Sequence, residues 1–129
     1  MIRIGVLGST NGTDLHEIIN AISEKKLHAE ISIVISNRKN AYILKRAEKH
    51  DIQHKYISHL NMNRKEFDHK VTNILEKHKV DLILLIGFMR ILSKEFCSEW
   101  SDKILNVHPS LLPKYAGGLD NNVHEEVLK

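Results

Sequence analysis

An asparagine and a histidine end one of the apolar runs of the chain, at Asn106 and His108. Alternate side chains of an extended strand point to the same face, so these two groups are predicted to lie side by side. The amide can donate a hydrogen bond to a developing oxyanion, and the imidazole can donate or shuttle a proton near neutral pH. The pair therefore suits acyl transfer. The alternative is a pair of polar side chains that only satisfy backbone groups at a strand end.

A glycine-rich turn, residues 8–14, joins the first apolar run to the first helical pattern. Glycines let backbone N–H groups approach an anion, and a helix N-terminus carries about half a positive charge. The turn lacks the lysine of a P-loop and does not fit the dinucleotide fingerprint. It favours a single phosphate monoester, and a plain tight turn is an equal alternative. Asp14, with Glu17 three residues later, is predicted to cap the helix that follows.

The other reactive side chains predict no further site. His50 and His54 are four residues apart but flank a helix end and a strand start, and no constellation of ligands completes a zinc site. Cys97 has no paired histidine nearby in the sequence, so it is predicted to be an inert buried thiol. Two prolines, Pro109 and Pro113, predict a rigid loop directly after His108.

Strand and helix patterns alternate along the chain and must position these groups. The predicted strands are residues 2–7, 31–35, 55–57, 82–86 and 104–108; helical faces start near Leu15, Ala41, Asn63 and Ser93, and another starts after Asp120. This alternation predicts an α/β fold, an open and mainly parallel sheet with helices on both faces. Ligands of such sheets bind beyond the carboxyl ends of the strands, where residues 8–14, 87–92 and 106–118 are expected.

Composition limits the classes of function. The 129 residues fit one domain, with 42% apolar and 27% charged residues. The net charge of +3 comes from scattered cations, and aromatic residues make up 5%, so no nucleic-acid groove is expected. A single cysteine and the lack of any apolar stretch long enough for a membrane span favour a soluble cytoplasmic protein. The sequence does not indicate an oligomeric state.

Two segments carry a resemblance to a known family. Residues 87–93, Gly-Phe-Met-Arg-Ile-Leu-Ser, and residues 106–115, Asn-Val-His-Pro-Ser-Leu-Leu-Pro-Lys-Tyr, look like the signature segments of folate-dependent formyltransferases. The first segment is particular to the phosphoribosylglycinamide formyltransferases within that family. The glycine-rich turn with Asn11, Gly12 and Thr13 agrees with it. The resemblance runs through all 129 residues in order and implies a Rossmann-like formyltransferase fold.

The resemblance implies transfer of a formyl group from 10-formyltetrahydrofolate, a co-substrate, to the amine of 5-phosphoribosylglycinamide in purine synthesis, without a metal. By similarity, Asn106 would touch the formyl group and His108 would donate the proton. The ribonucleotide phosphate and the folate would be held by two sets of residues: Gly12, Thr13 and Asp14 for the phosphate, and Arg64, Met89, Arg90, Ile91, Leu92 and Asn106 for the folate. The expected partners are these small molecules, with no nucleic acid and no membrane.

The chain also departs from the family pattern. Asp14 stands where the family usually has asparagine, and Ala116 to Leu119 replace a shorter Pro-Gly-Leu. Family members continue past this point with further strands and an aspartate that pairs with the histidine. Residues 1–129 are therefore expected to be an N-terminal formyltransferase domain, truncated and weakly active or inactive alone. The alternatives are formyltetrahydrofolate hydrolase and a non-catalytic nucleotide-binding remnant.

Overall fold

A computed structural model describes residues 1–60 and 62–107 of the chain. Strands and helices alternate, as the sequence pattern predicts. The strands are β1 (Ile2–Gly8), β2 (Ala29–Ser36), β3 (His54–Tyr56), β4 (Leu82–Ile86) and β5 (Ile104–Asn106). The helices are α1 (Thr13–Ser23), α2 (Tyr42–Lys49), α3 (Arg64–Lys77) and α4 (Lys94–Glu99). None of the helices within these residues is long and apolar enough to cross a membrane.

The five strands form one parallel sheet in the order β3-β2-β1-β4-β5. The first strand is therefore central, with β2 on one side and β4 on the other. Ile4 of β1 lies opposite Ile31 of β2 and Leu82 of β4. The predicted open parallel sheet is confirmed, and its strand order changes direction at β1.

Helices cover both faces of the sheet because alternate strand residues point in opposite directions. Ile4 and Val6 pack beneath α1 and α2, whereas Leu7 packs beneath α3 and α4. Strand β4 contributes to both clusters, with Leu84 on one face and Ile83 on the other. Burial on both sides explains why β4 is a continuous apolar run instead of an alternating one.

The helix starts agree with the sequence at two places and differ at a third. Asn63 caps α3, its Oδ1 accepting from the Glu66 N–H at 2.8 Å, as predicted. Ser93 caps α4 by accepting from the Phe96 N–H at 3.1 Å. The prediction that Asp14 caps α1 is wrong, because the cap is Gly12 and Asp14 lies inside the first helical turn.

Four strands differ slightly from their predicted bounds. The first extends one residue further than predicted, to Gly8, and the second runs from Ala29 to Ser36 instead of over residues 31–35. The third strand begins one residue earlier than predicted, at His54. The fifth was predicted over residues 104–108 but pairs with β4 only as far as Asn106. The predictions on His108, the Pro109–Pro113 loop and the last helix lie outside the described residues.

Candidate functional site

The carboxyl ends of parallel strands meet at one edge of the sheet, and the loops that follow β1, β4 and β5 are neighbours there. Strand order reverses at β1, which makes this edge the expected ligand crevice of an open α/β sheet. Gly12, Thr13 and Asp14 follow β1, residues 87–92 follow β4, and Asn106 ends β5. Three of the stretches selected from the sequence are therefore brought to one edge.

The turn before α1 depends on Gly12. Its φ of +68° lies in the left-handed region, and an added Cβ would come within 2.4 Å of Cγ1 of Ile43. Ile43 is fully buried and cannot move away easily. The N-cap residue Gly12 has no side chain that could occupy the first turn of α1, and Thr13 is exposed. The helix start therefore presents backbone N–H groups, which is the arrangement that binds phosphate groups.

Helix α2 holds the same turn in place. The Ile43 N–H donates to the carbonyl oxygen of Thr10 at 3.1 Å, and Arg46 Nε donates to that of Asn11 at 2.6 Å. These bonds fix two carbonyl groups of the turn on the α2 side. The position of the turn is therefore set by a helix that lies outside the two signature segments.

Residues 87–92 alternate between exposed and inward side chains. Met89 is 64% exposed and Ile91 is 71% exposed, while Leu92 packs into the core beside α3 and α4. Large apolar side chains this exposed are a common mark of a ligand or protein contact. Met89 and Ile91 therefore present an apolar surface beside the turn before α1.

Arg90 points inward toward α3. Its guanidinium carbon lies 4.2 Å from the ring centroid of Phe67, and its Nε is buried with no hydrogen-bond partner among the described residues. Stacking of this kind fixes the plane of a guanidinium group. Arg64 is exposed one turn before Phe67, at the start of α3, which places it at the carboxyl edge.

A buried carboxylate anchors the far end of this loop. Asp68 is 3% exposed, and its Oδ2 accepts from the Ser93 N–H at 2.7 Å. The same group contributes, after burial, to raising the pKa of the Cys97 thiol. A raised thiol pKa lowers the thiolate fraction at neutral pH, which agrees with the prediction that Cys97 is not a nucleophile.

Asn106 is the last residue of β5 and is half-buried. It lies opposite Leu85 of β4, and the following Val107 N–H donates to the Leu85 carbonyl at 3.0 Å. These bonds fix the backbone on which the Asn106 side chain is carried. The structure thus brings Asn106 to the edge that carries residues 87–92, and its predicted neighbour His108 lies outside the described residues.

Two buried polar residues connect the loops: Ser9, which lies in the turn selected from the sequence, and Asn37, which the sequence analysis missed. Ser9 Oγ donates to Asn37 Oδ1 at 2.6 Å and accepts from the Met89 N–H at 2.8 Å. The Ser9 N–H also donates to the Gly87 carbonyl at 3.2 Å. The signal was present in the polar pair Ser36 and Asn37, which directly follows the apolar residues 33–35. The role of this pair was overlooked because neither residue belongs to a signature segment.

The histidines within the described residues form no metal site. No group of three or more His, Cys, Asp or Glu side chains in residues 1–60 and 62–107 is arranged to hold a metal ion. His50 follows the end of α2 and His54 begins β3, so they do not share a helix face, as predicted.

His78 follows the end of α3. Burial of its ring, together with the positive charge of Lys77, lowers the pKa of this imidazole.

Comparison with known proteins places this chain in one family. The family model described as Formyl transferase matches residues 2–129. The chain is 44% identical over 118 residues to phosphoribosylglycinamide formyltransferase of Haemophilus influenzae, covering 91% of this chain and 56% of that protein. It is 42% identical over 128 residues to the human trifunctional purine biosynthetic protein adenosine-3, covering 98% of this chain and 12% of that protein.

A solved structure shares both fold and sequence with the chain. It is phosphoribosylglycinamide formyltransferase of Coxiella burnetii in complex with CHES, with a TM-score of 0.79 and 47% identity. The match covers 88% of this chain and 54% of that one. The chain thus spans about half the length of the bacterial relatives it matches, and a much smaller part of the human protein.

Proposed function

Since this chain belongs to the formyl transferase family, we propose that it acts in the transfer of a formyl group from 10-formyltetrahydrofolate to the amine of 5-phosphoribosylglycinamide. The observation that carries the proposal is the meeting of three elements at one sheet edge. These elements are the start of α1 with its glycine N-cap, the exposed apolar residues after β4, and Asn106 at the end of β5. Relatives at more than 40% identity are named for this activity or for purine biosynthesis.

In this proposal the ribonucleotide phosphate binds at the start of α1. The backbone N–H groups of Gly12, Thr13 and Asp14 are the donors, and the helix dipole adds a favourable potential. The Asp14 carboxylate would repel a phosphate if it pointed at it, so its backbone and not its side chain is assigned the contact. The left-handed Gly12 supports this role because it lets the chain turn sharply before the helix.

The folate binds across the residues after β4. Exposed Met89 and Ile91 suit the apolar rings of the co-substrate, and Leu92 supports them from the core. Arg64 and Arg90 supply positive charge for its carboxylates, with Arg90 held on Phe67. The described residues therefore fit the co-substrate in both its apolar and its anionic parts.

Asn106 and His108 act on the reacting atoms. Attack of the substrate amine on the formyl carbon forms a C–N bond and turns the carbonyl oxygen into an oxyanion, which the Asn106 amide stabilises by donating a hydrogen bond. His108 donates to the same oxygen and passes the proton lost by the amine to the departing folate nitrogen. Cleavage of the bond to that nitrogen then completes the transfer without a metal.

A formyl-transfer assay on the protein as its source cells make it tests the proposal. Product formation should require both 5-phosphoribosylglycinamide and 10-formyltetrahydrofolate, and His108→Ala should abolish it. Release of formate without transfer would instead indicate the hydrolase. Ribonucleotide binding with no turnover, unaffected by His108→Ala, would indicate a binding remnant.

The intact mass of the native protein completes this test. A mass well above the 14.9 kDa of this chain would show that more residues belong to the active protein. If residues 1–129 alone do not transfer the formyl group and the longer protein does, then residues beyond 129 are needed for the reaction. Replacement of the later aspartate by asparagine in the longer protein would then test the expected role of that residue.

A further inference from the structure

A second cleft opens at the carboxyl edge, on the opposite side of the β1 loop from residues 87–92. It lies among the loops after β1, β2 and β3 and has a volume of about 730 Å³. Small-molecule sites commonly measure about 300–1,000 Å³. The cleft shares Thr10 and Asn11 with the turn before α1, but neither Gly12 to Asp14 nor Asn106 lines it. It is therefore a separate site from the one proposed for formyl transfer.

The charge of this cleft is positive. Arg38 and Lys39 line it and are exposed, and His59 lies beside them with Nδ1 3.4 Å from the Asn37 carbonyl oxygen. No Asp or Glu is among the described residues that line it. A cavity of 410 Å³ between α3 and α4 provides a contrast, since four carboxylates line it: Glu66, Asp68, Glu95 and Glu99. The first cleft thus suits an anion.

A buried amide gives the cleft a directional donor. Asn37 is only 5% exposed and lines the cleft. Its Oδ1 accepts from Ser9 at 2.6 Å, the one side-chain hydrogen bond that Asn37 makes within the described residues. Because this bond uses the amide oxygen, the N–H groups of Asn37 are the part of its side chain that can donate to a ligand in the cleft.

The lining of the cleft also includes aromatic and apolar side chains. Tyr56, at the end of β3, is 38% exposed, and Leu60 is 66% exposed. Tyr42, also in the lining, is already covered by Arg46 at 4.8 Å and Lys49 at 5.0 Å from its ring centroid. Tyr56 is therefore the ring that remains available for stacking, which is how proteins hold nucleobases without reading their sequence.

We propose that this cleft binds a nucleoside monophosphate. Arg38 and Lys39 meet the phosphate, Asn37 donates to an oxygen of the ligand, and Tyr56 stacks on the base. A bare phosphate would use the cations but would leave the ring and most of the volume empty. The site is independent of the formyl-transfer site, and a ligand there could be bound together with the transfer substrates.

Titration with adenosine 5′-monophosphate, followed by NMR and calorimetry on the full chain, tests this proposal. The side-chain amide of Asn37 and the ring of Tyr56 should shift, and binding should persist with 5-phosphoribosylglycinamide present. Arg38→Ala combined with Lys39→Ala should weaken binding about tenfold or more, because both charged hydrogen bonds to the phosphate are lost. Tyr56→Ala should weaken it about fivefold or more, a loss typical of base stacking.

The matched control is Lys25→Ala combined with Lys26→Ala, which removes the same charge at the end of α1 away from the cleft. It should leave the affinity unchanged. Three results would overturn the proposal: no binding at millimolar nucleotide, shifts confined to residues 12–14, or equal affinity for inorganic phosphate. Unchanged spectra outside the cleft would show that the variants fold.

Discussion

The carboxyl edge of the sheet has two halves that differ in chemistry. The half after β4 and β5 presents exposed Met89 and Ile91 with Asn106, which suit an apolar ring and a reacting carbonyl. The half after β2 and β3 presents Arg38 and Lys39 around a cleft without carboxylates among its described lining residues. A single parallel sheet therefore carries two chemically different surfaces, formed by different loops at the same edge.

The β1 loop divides the halves and is bonded to both. The Ser9 hydroxyl donates to Asn37 on the cationic side and accepts from the Met89 N–H on the apolar side. Ser9 is 2% exposed, so neither bond competes with water. The two surfaces thus differ in charge but share one rigid support.

The largest expected effect is on the apolar half. Asn106→Ala should lower the rate of formyl transfer by about 10²–10³, the loss usual for one oxyanion donor. Comparison of kcat for the variant and the parent protein measures it, and the KM for the ribonucleotide should change little. Asn73→Ala, an exposed substitution on α3, is the control and should leave kcat unchanged. If kcat falls by less than tenfold in Asn106→Ala, Asn106 is not a donor to the oxyanion.

Substitution of the dividing turn should disturb both halves. Gly12→Ala places a Cβ 2.4 Å from Ile43 at a φ of +68°. Left-handed strain and overpacking together should lower the free energy of unfolding by about 2–4 kcal/mol, measured by urea denaturation. Gly12→Asn tolerates the φ angle better but keeps the clash, so it should recover only part of the loss. Full recovery would show that packing against Ile43 is unimportant.

Removal of the shared hydroxyl tests whether the halves are linked. Ser9→Ala leaves Asn37 Oδ1 and the Met89 N–H without their partner, which should cost about 1–3 kcal/mol of unfolding free energy. Amide exchange should become faster at Met89. Ser23→Ala, at the exposed end of α1, should change the stability by less than about 0.5 kcal/mol. Equal effects of the two variants would contradict the proposed link.

The smallest effect concerns Cys97, which lies in α4. Burial, with Asp68 second, raises the pKa of its thiol. Its reaction with a thiol reagent should therefore be slower than that of free cysteine at neutral pH and should accelerate only at higher pH. The unfolded state ionises first as pH rises, so this group destabilises the fold above the usual thiol pKa. Labelling in denaturant should restore the rate of an ordinary thiol.

The sequence predicts the elements of this fold better than their arrangement. The continuous apolar run of β4 and the Asn63 cap of α3 are local signals, and the structure confirms both. The order β3-β2-β1-β4-β5 arises from contacts between distant residues, which no local pattern contains. Asp14 was assigned as a cap because its side chain is a common cap, whereas a left-handed Gly12 takes that position.

The candidate site was predictable only in part for the same reason. Residues 87–92 and Asn106 were found because they follow apolar runs and match signature segments. The bond between Ser9 and Asn37 was missed, since a hydrogen bond between two strand ends requires the strand order to be known first. Arg38 and Lys39 look like ordinary surface cations until the loops after β1 and β3 are placed around them.

The central position of β1 sets the order in which these surfaces can form on the ribosome. Strands β1, β2 and β3 are made consecutively, so the cationic cleft can assemble while the rest is still being synthesised. The other side of β1 stays open until β4 is made, because Ile4 lies opposite Leu82 there. A chain that stalls before Ile86 would expose an unpaired apolar strand edge, a surface prone to aggregation and recognised by chaperones.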